Sequence, residues 1–356
     1  MGEHILITGG AGFIGSHVAR ALLAQRDFAH YRIIVLDDLS GGFRSNVPQD
    51  ARIEFVQGSI TDEPLVTRLF RERSFKYVYH FAAYAAEGLS HFIRRFNYTN
   101  NLIGSINLIN AAINYGTECF VFTSSIAVYG TGQVPMREDM VPQPEDPYGI
   151  AKYAAELDLE NARKMFGLDY VIFRPHNVYG EYQNVGDRYR NVVGIFMNQI
   201  LQDKPMTIFG DGKQQRAFSY IGDIAPDVAR SPLVKEARNK VFNIGADHHY
   251  SVNELAEGVA EAMGVSAKVT HLPPRQEVLM AFSDHSACHR VFGNGSQTSL
   301  EDGLQRMAGW VKIVGSRKGK EFSGIEIRKG VPPSWVSSDG KESTETFSIP
   351  DISANL

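Results

Sequence analysis

Tyr148 and Lys152 stand four residues apart in Tyr148-Gly-Ile-Ala-Lys152, a spacing that brings both side chains to one face of a helix. An ammonium beside a phenol favours the phenolate, so a group that ordinarily titrates near ~10 can act as a base around neutral pH. Candidate partner hydroxyls stand where the apolar run Phe120-Val-Phe ends in Thr123-Ser124-Ser125. Placed at the carboxyl edge of a sheet, a hydroxyl there can hydrogen-bond the substrate oxygen that Tyr148 would deprotonate.

A cofactor cradle is written at the start of the chain. Ile5-Leu6-Ile7 reads as a short buried strand, followed by Thr8-Gly9-Gly10-Ala11-Gly12-Phe13-Ile14-Gly15 and an apolar-periodic helical run from Val18 to Leu23. Glycines at 9, 12 and 15 suit a tight turn, close approach to a pyrophosphate and close packing of helix on strand. The helix N-terminus then offers free N–H groups to the phosphates. A second strand, Ile33 to Leu36, leads to Asp37-Asp38 about twenty residues on, where an acid accepts from the adenosine ribose hydroxyls. Negative charge there repels a 2′-phosphate and favours NAD over NADP.

The elements that must position these residues alternate as in a parallel sheet. Strands are expected at Glu3 to Thr8, Arg32 to Leu36, Ile53 to Val56, Tyr77 to Phe81, Phe120 to Thr123 and Tyr170 to Phe173, with helices at Phe92 to Asn114 and Tyr148 to Phe166. The fold class predicted is α/β: a doubly wound parallel (Rossmann) sheet with a smaller C-terminal α/β part. Residues 1–175 form the NAD-binding domain with Ser125, Tyr148 and Lys152. Residues 176–314 are mainly substrate-binding, with some chain returning to the sheet, and Asn191 to Leu201, Phe242 to Ile244 and Val252 to Met263 read as ordered. Residues 315–356 are an atypical extension, and Lys341 to Leu356 reads as mobile.

Composition limits the function. The 356 residues, 43% hydrophobic and 21% charged, can bury a large core, and a net charge of −4 gives no reason to expect nucleic acid or an anionic membrane. Cys119 and Cys288 are far apart and lack metal-ligand spacing, so neither a disulfide framework nor a metal site is suggested. No leader-like or membrane-spanning run is read, and a cytoplasmic location is the expectation.

Over roughly residues 3 to 312 the sequence resembles the extended short-chain dehydrogenase/reductase family, in its nucleotide-sugar epimerase and dehydratase branch. The likeness rests on Gly9 to Gly15, His80-Phe-Ala-Ala83, Thr123-Ser-Ser-Ile-Ala-Val-Tyr-Gly130, Tyr148 to Lys152 and Arg174-Pro-His-Asn-Val-Tyr-Gly180. Further matches are Gly210-Asp-Gly212 with Arg216, Tyr220 and Asp223, then Asn243-Ile-Gly245 and Ser299 to Leu304. The resemblance implies a triad in which Ser125 holds the sugar hydroxyl, Tyr148 is the base and Lys152 lowers its pKa while bonding the nicotinamide ribose. It implies an NAD site lined by Gly9, Gly12, Phe13, Ile14, Gly15, Asp37, Asp38, Ser40, Ser59, Ile60, Phe81, Ala82, Ala83, Asn100, Thr123, Tyr148, Lys152 and Pro175. Glu87, Ser125, Tyr148, Asn177, Asn191, Arg216 and Arg275 are the implied contacts of a nucleotide-sugar substrate. A homodimer pairing the two long helices is implied as well.

The same resemblance narrows the reaction. Dehydratases and decarboxylases of the branch place an acid, and other members a cysteine, immediately before the Val-Tyr-Gly; here that residue is Ala127. A methyl group cannot protonate a leaving hydroxyl, so inversion at C4 of a nucleotide-diphosphate hexose is expected, a UDP-sugar being favoured. Dehydration, decarboxylation or another epimerisation are the alternatives, and a non-catalytic NAD-binding sensor is disfavoured because both Tyr148 and Lys152 are present. Two departures stand out. Ser59 replaces the adenine-contacting acid after the third strand, and the loop Tyr84-Ala-Ala-Glu87-Gly-Leu-Ser90 is not the common one. Glu87 and His176 are either a sugar-facing pair for a second proton transfer, or a solvated carboxylate and a packed imidazole.

Overall fold

The expected apolar runs enter one parallel sheet. In a computed structural model that describes residues 3–274, 279–293, 297–318, 322, 324–332 and 335, β1 (His4–Thr8), β2 (Arg32–Asp37), β3 (Ile53–Gln57), β4 (Phe75–His80), β5 (Cys119–Thr123) and β6 (Asp169–Pro175) are joined by an edge strand, Lys240–Ile244. The spatial order is Lys240–Ile244, β6, β5, β4, β1, β2, β3, with every neighbouring pair parallel. The order reverses between β1 and β4, and in such sheets the ligand crevice opens at the carboxyl ends flanking that point.

Unbroken apolar runs belong in strands covered on both faces. Ile5, Ile7, Val35, Tyr79, Val121 and Phe173 face α1 (Phe13–Ala24) and the helix Ile221–Arg230, in a cluster that continues to Leu255, Val259, Leu304 and Met307. Leu6, Ile34, Val78, Phe120, Phe122 and Ile172 face the other layer, built from Leu65 and Leu69 of α2 (Glu63–Glu72) and from two later helices. The first short helices after β4 are α3 (Glu87–Ser90) and α4 (Arg94–Tyr98); the layer itself is completed by α5 (Gly104–Asn114) and α6 (Pro147–Phe166).

The single helix expected over Phe92 to Asn114 is instead α4 and α5 joined through one π-type turn, Thr99–Ile103. Wide turns of this kind accompany functional sites. Here Asn101, in that turn, is buried and bonds Asn97 at 2.7 Å, while its amide also holds the backbone N and O of Tyr84 at 2.7 and 3.1 Å. Helix α6 begins at a proline whose missing N–H is harmless in a first turn, with the Asp146 carboxylate accepting from Gly149 N at 2.9 Å.

After Pro175 the elements shorten. Met206–Phe209 pairs with Val269–Leu272, and Gln215–Ala217 lies between His249–Ser251 and Met280–Ala281. Arg275 and Lys341 to Leu356 lie outside the described residues. Among the described residues no helix is long and apolar enough to cross a membrane.

Candidate active site

The glycine turn closes on the chain at the end of β4. Gly9 has φ +70°, and a Cβ there would sit 2.6 Å from the backbone N of Ala82, so no side chain is tolerated. Gly12 caps α1 without any side-chain acceptor, and Phe13, Ile14 and Gly15 supply the first helical residues. Those N–H groups are the ones a phosphate takes. Asp37 ends β2 buried, its carboxylate accepting from Ala11 N (2.9 Å) and Leu39 N (2.8 Å). Burial pushes its pKa up, and the two backbone bonds act against that. Asp37 thus braces the turn it follows. Asp38 accepts from Ser40 N at 2.8 Å, Ser59 bonds Thr61 through their hydroxyls at 2.9 Å, and the Ile60 carbonyl accepts from Asn107. Asn100 donates to the Phe96 carbonyl at 2.9 Å, while its neighbour Asn101 is the residue that ties down the loop after β4.

His80, at the end of β4, orders the next wall. Ser105 donates to the Asn101 carbonyl (2.8 Å), so its oxygen accepts from His80 Nε2–H (2.8 Å), which leaves His80 Nδ1 to accept from the Thr8 hydroxyl (2.7 Å). Full burial lowers the His80 pKa well below its ordinary value, consistent with a neutral ring. Phe81, Ala82 and Ala83 follow, with Ala82 N donating to Thr8 Oγ1 at 3.4 Å.

The triad meets at the ends of β5 and α6. Lys152 is buried, and its Nζ donates to the Thr123 carbonyl at 2.8 Å while lying 4.8 Å from the Phe122 ring centre and 5.8 Å from that of Tyr148. Ser125 lies beside the Tyr148 phenol, where it acts to lower its pKa, and caps the turn Ile126–Tyr129 by accepting from Ala127 N at 3.1 Å. Turn and helix touch where a Cβ on Gly149 would come within 2.6 Å of the Ala127 carbonyl. The expected lowering of the Tyr148 pKa is reversed. Burial pushes it up, Ser125 acts against burial, the carboxylates of Asp146 and Glu87 reinforce the rise, and Arg190 opposes it. Lys152 does little for the phenolate because burial has pulled its own pKa down to about 7, with Glu156 partly restoring it.

A buried ion pair sits beneath. Arg174 Nε donates to Glu156 at 2.9 Å and Nη1 to the Tyr129 hydroxyl at 2.7 Å; Tyr129 donates to Asn243 Oδ1 at 2.8 Å. Arg174, Tyr129 and Asn243 are separate motifs in the sequence and one network in the fold. It joins α6, β6, the edge strand and the turn that carries Ser125.

The residues expected on the substrate side divide. Asn177 has φ +38°, is exposed, and donates to the Ala217 carbonyl at 3.0 Å. Asn191 donates to the Val178 carbonyl and accepts from Val193 N at 3.3 Å, so what it presents to an anion is the N-terminus of the helix Val192–Leu201 that it caps. Arg216 donates to the carbonyl of Leu279 at 3.2 Å, and Leu279 lines a cavity of about 720 Å³ with Phe209, Gly210, Asp211, Gln214, His271, Leu272 and Pro274. His176 is the packed imidazole: its Nδ1 donates to the Ala217 carbonyl (3.1 Å), its Nε2 lies 2.9 Å from His285 Nε2, and burial lowers its pKa to about 3. Glu87 is exposed at the start of α3, and its charge reaches Tyr148. Sequence reasoning missed Arg190, His285, Asn97 and the Glu156 partner of Arg174.

The family model for the NAD-dependent epimerase/dehydratase family matches residues 5–245. The chain is 32% identical over 311 residues to a putative UDP-glucose 4-epimerase of Methanocaldococcus jannaschii, covering 86% of this chain and 98% of that one. It is 33% identical over 323 residues to a dTDP-D-glucose 4,6-dehydratase of Mus musculus, covering 87% and 89%. Among solved structures, the UDP-glucose 4-epimerase of Thermotoga maritima with UDP-glucose superposes with a TM-score of 0.80 at 34% identity, over 87% of this chain and 99% of that one. A glycine cradle that excludes any Cβ, an acid bracing it and a buried lysine beside a tyrosine-serine pair agree with these likenesses, and the chain belongs to the NAD-dependent epimerase/dehydratase family, whose cofactor is NAD.

Proposed function

We propose that the protein inverts C4 of a nucleotide-diphosphate hexose, a UDP-sugar being the favoured substrate, and works as a homodimer. The carrying observation is the set of proton-handling groups at the catalytic edge: Tyr148 lies beside Ser125, Lys152 is anchored on Thr123, and Ala127 stands where a second acid or thiol would be needed. Bound NAD supplies a hydride acceptor and, when oxidised, a positive ring whose charge favours the phenolate against burial. Ser125 holds the sugar oxygen, and Tyr148 takes the hydroxyl proton as the C4 hydride departs, then gives the proton back to the same oxygen as that hydride, which bound NAD would hold, returns to the opposite face of the turned 4-keto sugar. Lys152 holds the ribose side of the cofactor. Gly9 to Gly15, Asp37, Asp38, Ser40, Ser59, Ile60, Phe81 to Ala83, Asn100, Thr123 and Pro175 line the cofactor; Asn177, Asn191, Arg216, Arg275 and Glu87 meet the substrate.

Support for a UDP-sugar comes from the epimerase relatives, which carry UDP-glucose in their names. Exposed Ile103, Ile150 and Leu157 on the long helices support self-association. The test is incubation with UDP-, GDP-, CDP- and dTDP-hexoses without added NAD, with sugar stereochemistry read by NMR. Inversion at C4 is expected. A 4-keto-6-deoxy sugar or loss of carbon dioxide as the product overturns the reading, as does full turnover by Tyr148→Phe.

A further inference from the structure

We infer that residues 322, 324–332 and 335 of the C-terminal extension are part of the site's architecture, and that Glu326 is a positioning residue for the wall carrying Glu87. The inference depends on the proposed function only in the choice of substrate. Glu326 accepts from the backbone N–H groups of Arg95 and Phe96, both at 2.8 Å, at the positive end of α4. The N–H groups of Glu326 and Ile327 donate in turn to the Phe92 carbonyl, at 2.8 and 3.1 Å. These are backbone bonds, so they set where the chain runs rather than decorate a surface.

Helix α4 passes that placement on. Asn97 donates to the carbonyl of Pro147 at 2.8 Å, one residue before Tyr148, and Asn101 connects Asn97 to both backbone groups of Tyr84. Apolar contacts close the same unit. The Phe322 ring lies 5.5 Å from that of Tyr84 and 4.9 Å from that of Phe96; Trp335 packs on Phe92 and Tyr189 and lies 3.3 Å from where a Cβ of Gly88 would be. Ala86, Leu89 and Ile93 are buried in the cluster that Phe322, Ile325 and Trp335 cover. From α3, Ser90 reaches Asp146, the cap of α6, at 3.3 Å. The Glu87 loop and the described part of the extension therefore hold one another beside Tyr148.

The test uses the full-length, NAD-loaded protein carrying Glu326→Ala. The KM for the epimerised nucleotide sugar rises about tenfold with kcat changed less than about threefold, as for lost ground-state positioning, while bound NAD is unchanged. Amide exchange over residues 84–97 accelerates at least about tenfold, whereas that of β1 and α1 does not. Glu326→Gln, keeping one carbonyl acceptor, falls between. A KM within twofold of the parent value with unaltered exchange at 84–97 overturns the inference, and so does equal acceleration along the whole chain, the mark of a merely stabilising contact. Should Glu326→Ala fail to fold, Glu326→Gln and Trp335→Leu decide by the same two measurements. If the parent turns over no nucleotide sugar, the exchange arm still decides, and the proposed function alone has failed.

Discussion

Replacing Lys152 by Met stabilises the protein near neutral pH and ceases to do so as the solution becomes alkaline. The native ammonium has its pKa pulled from 10.5 to about 7 by burial, so between those values the unfolded chain binds more protons at this residue than the native one. Stability of the parent protein therefore climbs with pH through that window, and the penalty for burying the amine is fully present below pH 7. A gap of this size corresponds to roughly 4 kcal/mol at pH 7 and roughly 2 kcal/mol at pH 9. Against this, Met removes the donor to the Thr123 carbonyl, which costs about 1–3 kcal/mol at any pH. The variant is then more stable by about 1–3 kcal/mol at pH 7 and about even at pH 9. Urea unfolding followed by circular dichroism at pH 7, 8 and 9 measures it, with NAD stripped from both proteins because a ligand bound to the native state alone adds its own stabilisation. A stability difference constant to within about 0.5 kcal/mol across that range would refute the reasoning, since native Lys152 would then keep its charge throughout.

Glu156→Leu and Arg174→Met each strand a buried charge and cost about 3–5 kcal/mol in urea unfolding, while the double variant costs at least about 2 kcal/mol less than their sum; additive effects contradict the buried pair. Gly9→Val purifies without NAD, read from the absorbance ratio of the protein, because its side chain meets Ala82 N; retention of parental NAD content contradicts the cradle. Leu157→Glu places a charge on the exposed apolar face of α6 and is expected to convert the proposed dimer to a monomer in light scattering after size exclusion; a parent that is already monomeric, or an unchanged dimer mass, rules that face out as an interface.

What was legible in the sequence is what short spacing and backbone geometry dictate. The glycine turn needs Gly9 because the chain doubles back on Ala82, and the Tyr148 to Lys152 interval is one helical turn wherever the helix sits. The direction of the Tyr148 pKa was not legible, because the contest between a neighbouring ammonium and desolvation is decided by burial, which spacing does not reveal. Nor were Asn97 and Asn101 separable from ordinary polar helix positions until the π-type turn brought them to Pro147 and Tyr84. His285 is 109 residues from His176, and Glu326 is 231 from Arg95; no local pattern announces either contact. Poor periodicity in the extension concealed a segment placed by aromatic rings, by the Glu326 carboxylate and by two backbone N–H groups that donate to the Phe92 carbonyl.

Helix α6 shows why such costly groups are kept together. Tyr148, Lys152 and Glu156 recur every four residues, about 6 Å along one face, and all three are buried where an amphipathic helix would ordinarily place apolar side chains. Each has a single partner on the sheet side: Ser125 for Tyr148, the Thr123 carbonyl for Lys152, Arg174 for Glu156. A slip of one turn in one direction sets Lys152 against Arg174, two buried cations; in the other it sets Glu156 against the Thr123 carbonyl, two acceptors. Apolar contacts oppose both slips as well, since Leu159 and Ala155 differ by three buried carbons and cannot trade places without a clash or a void. The buried polar stripe therefore acts with the apolar positions to select one register, and that register brings the phenol to Ser125.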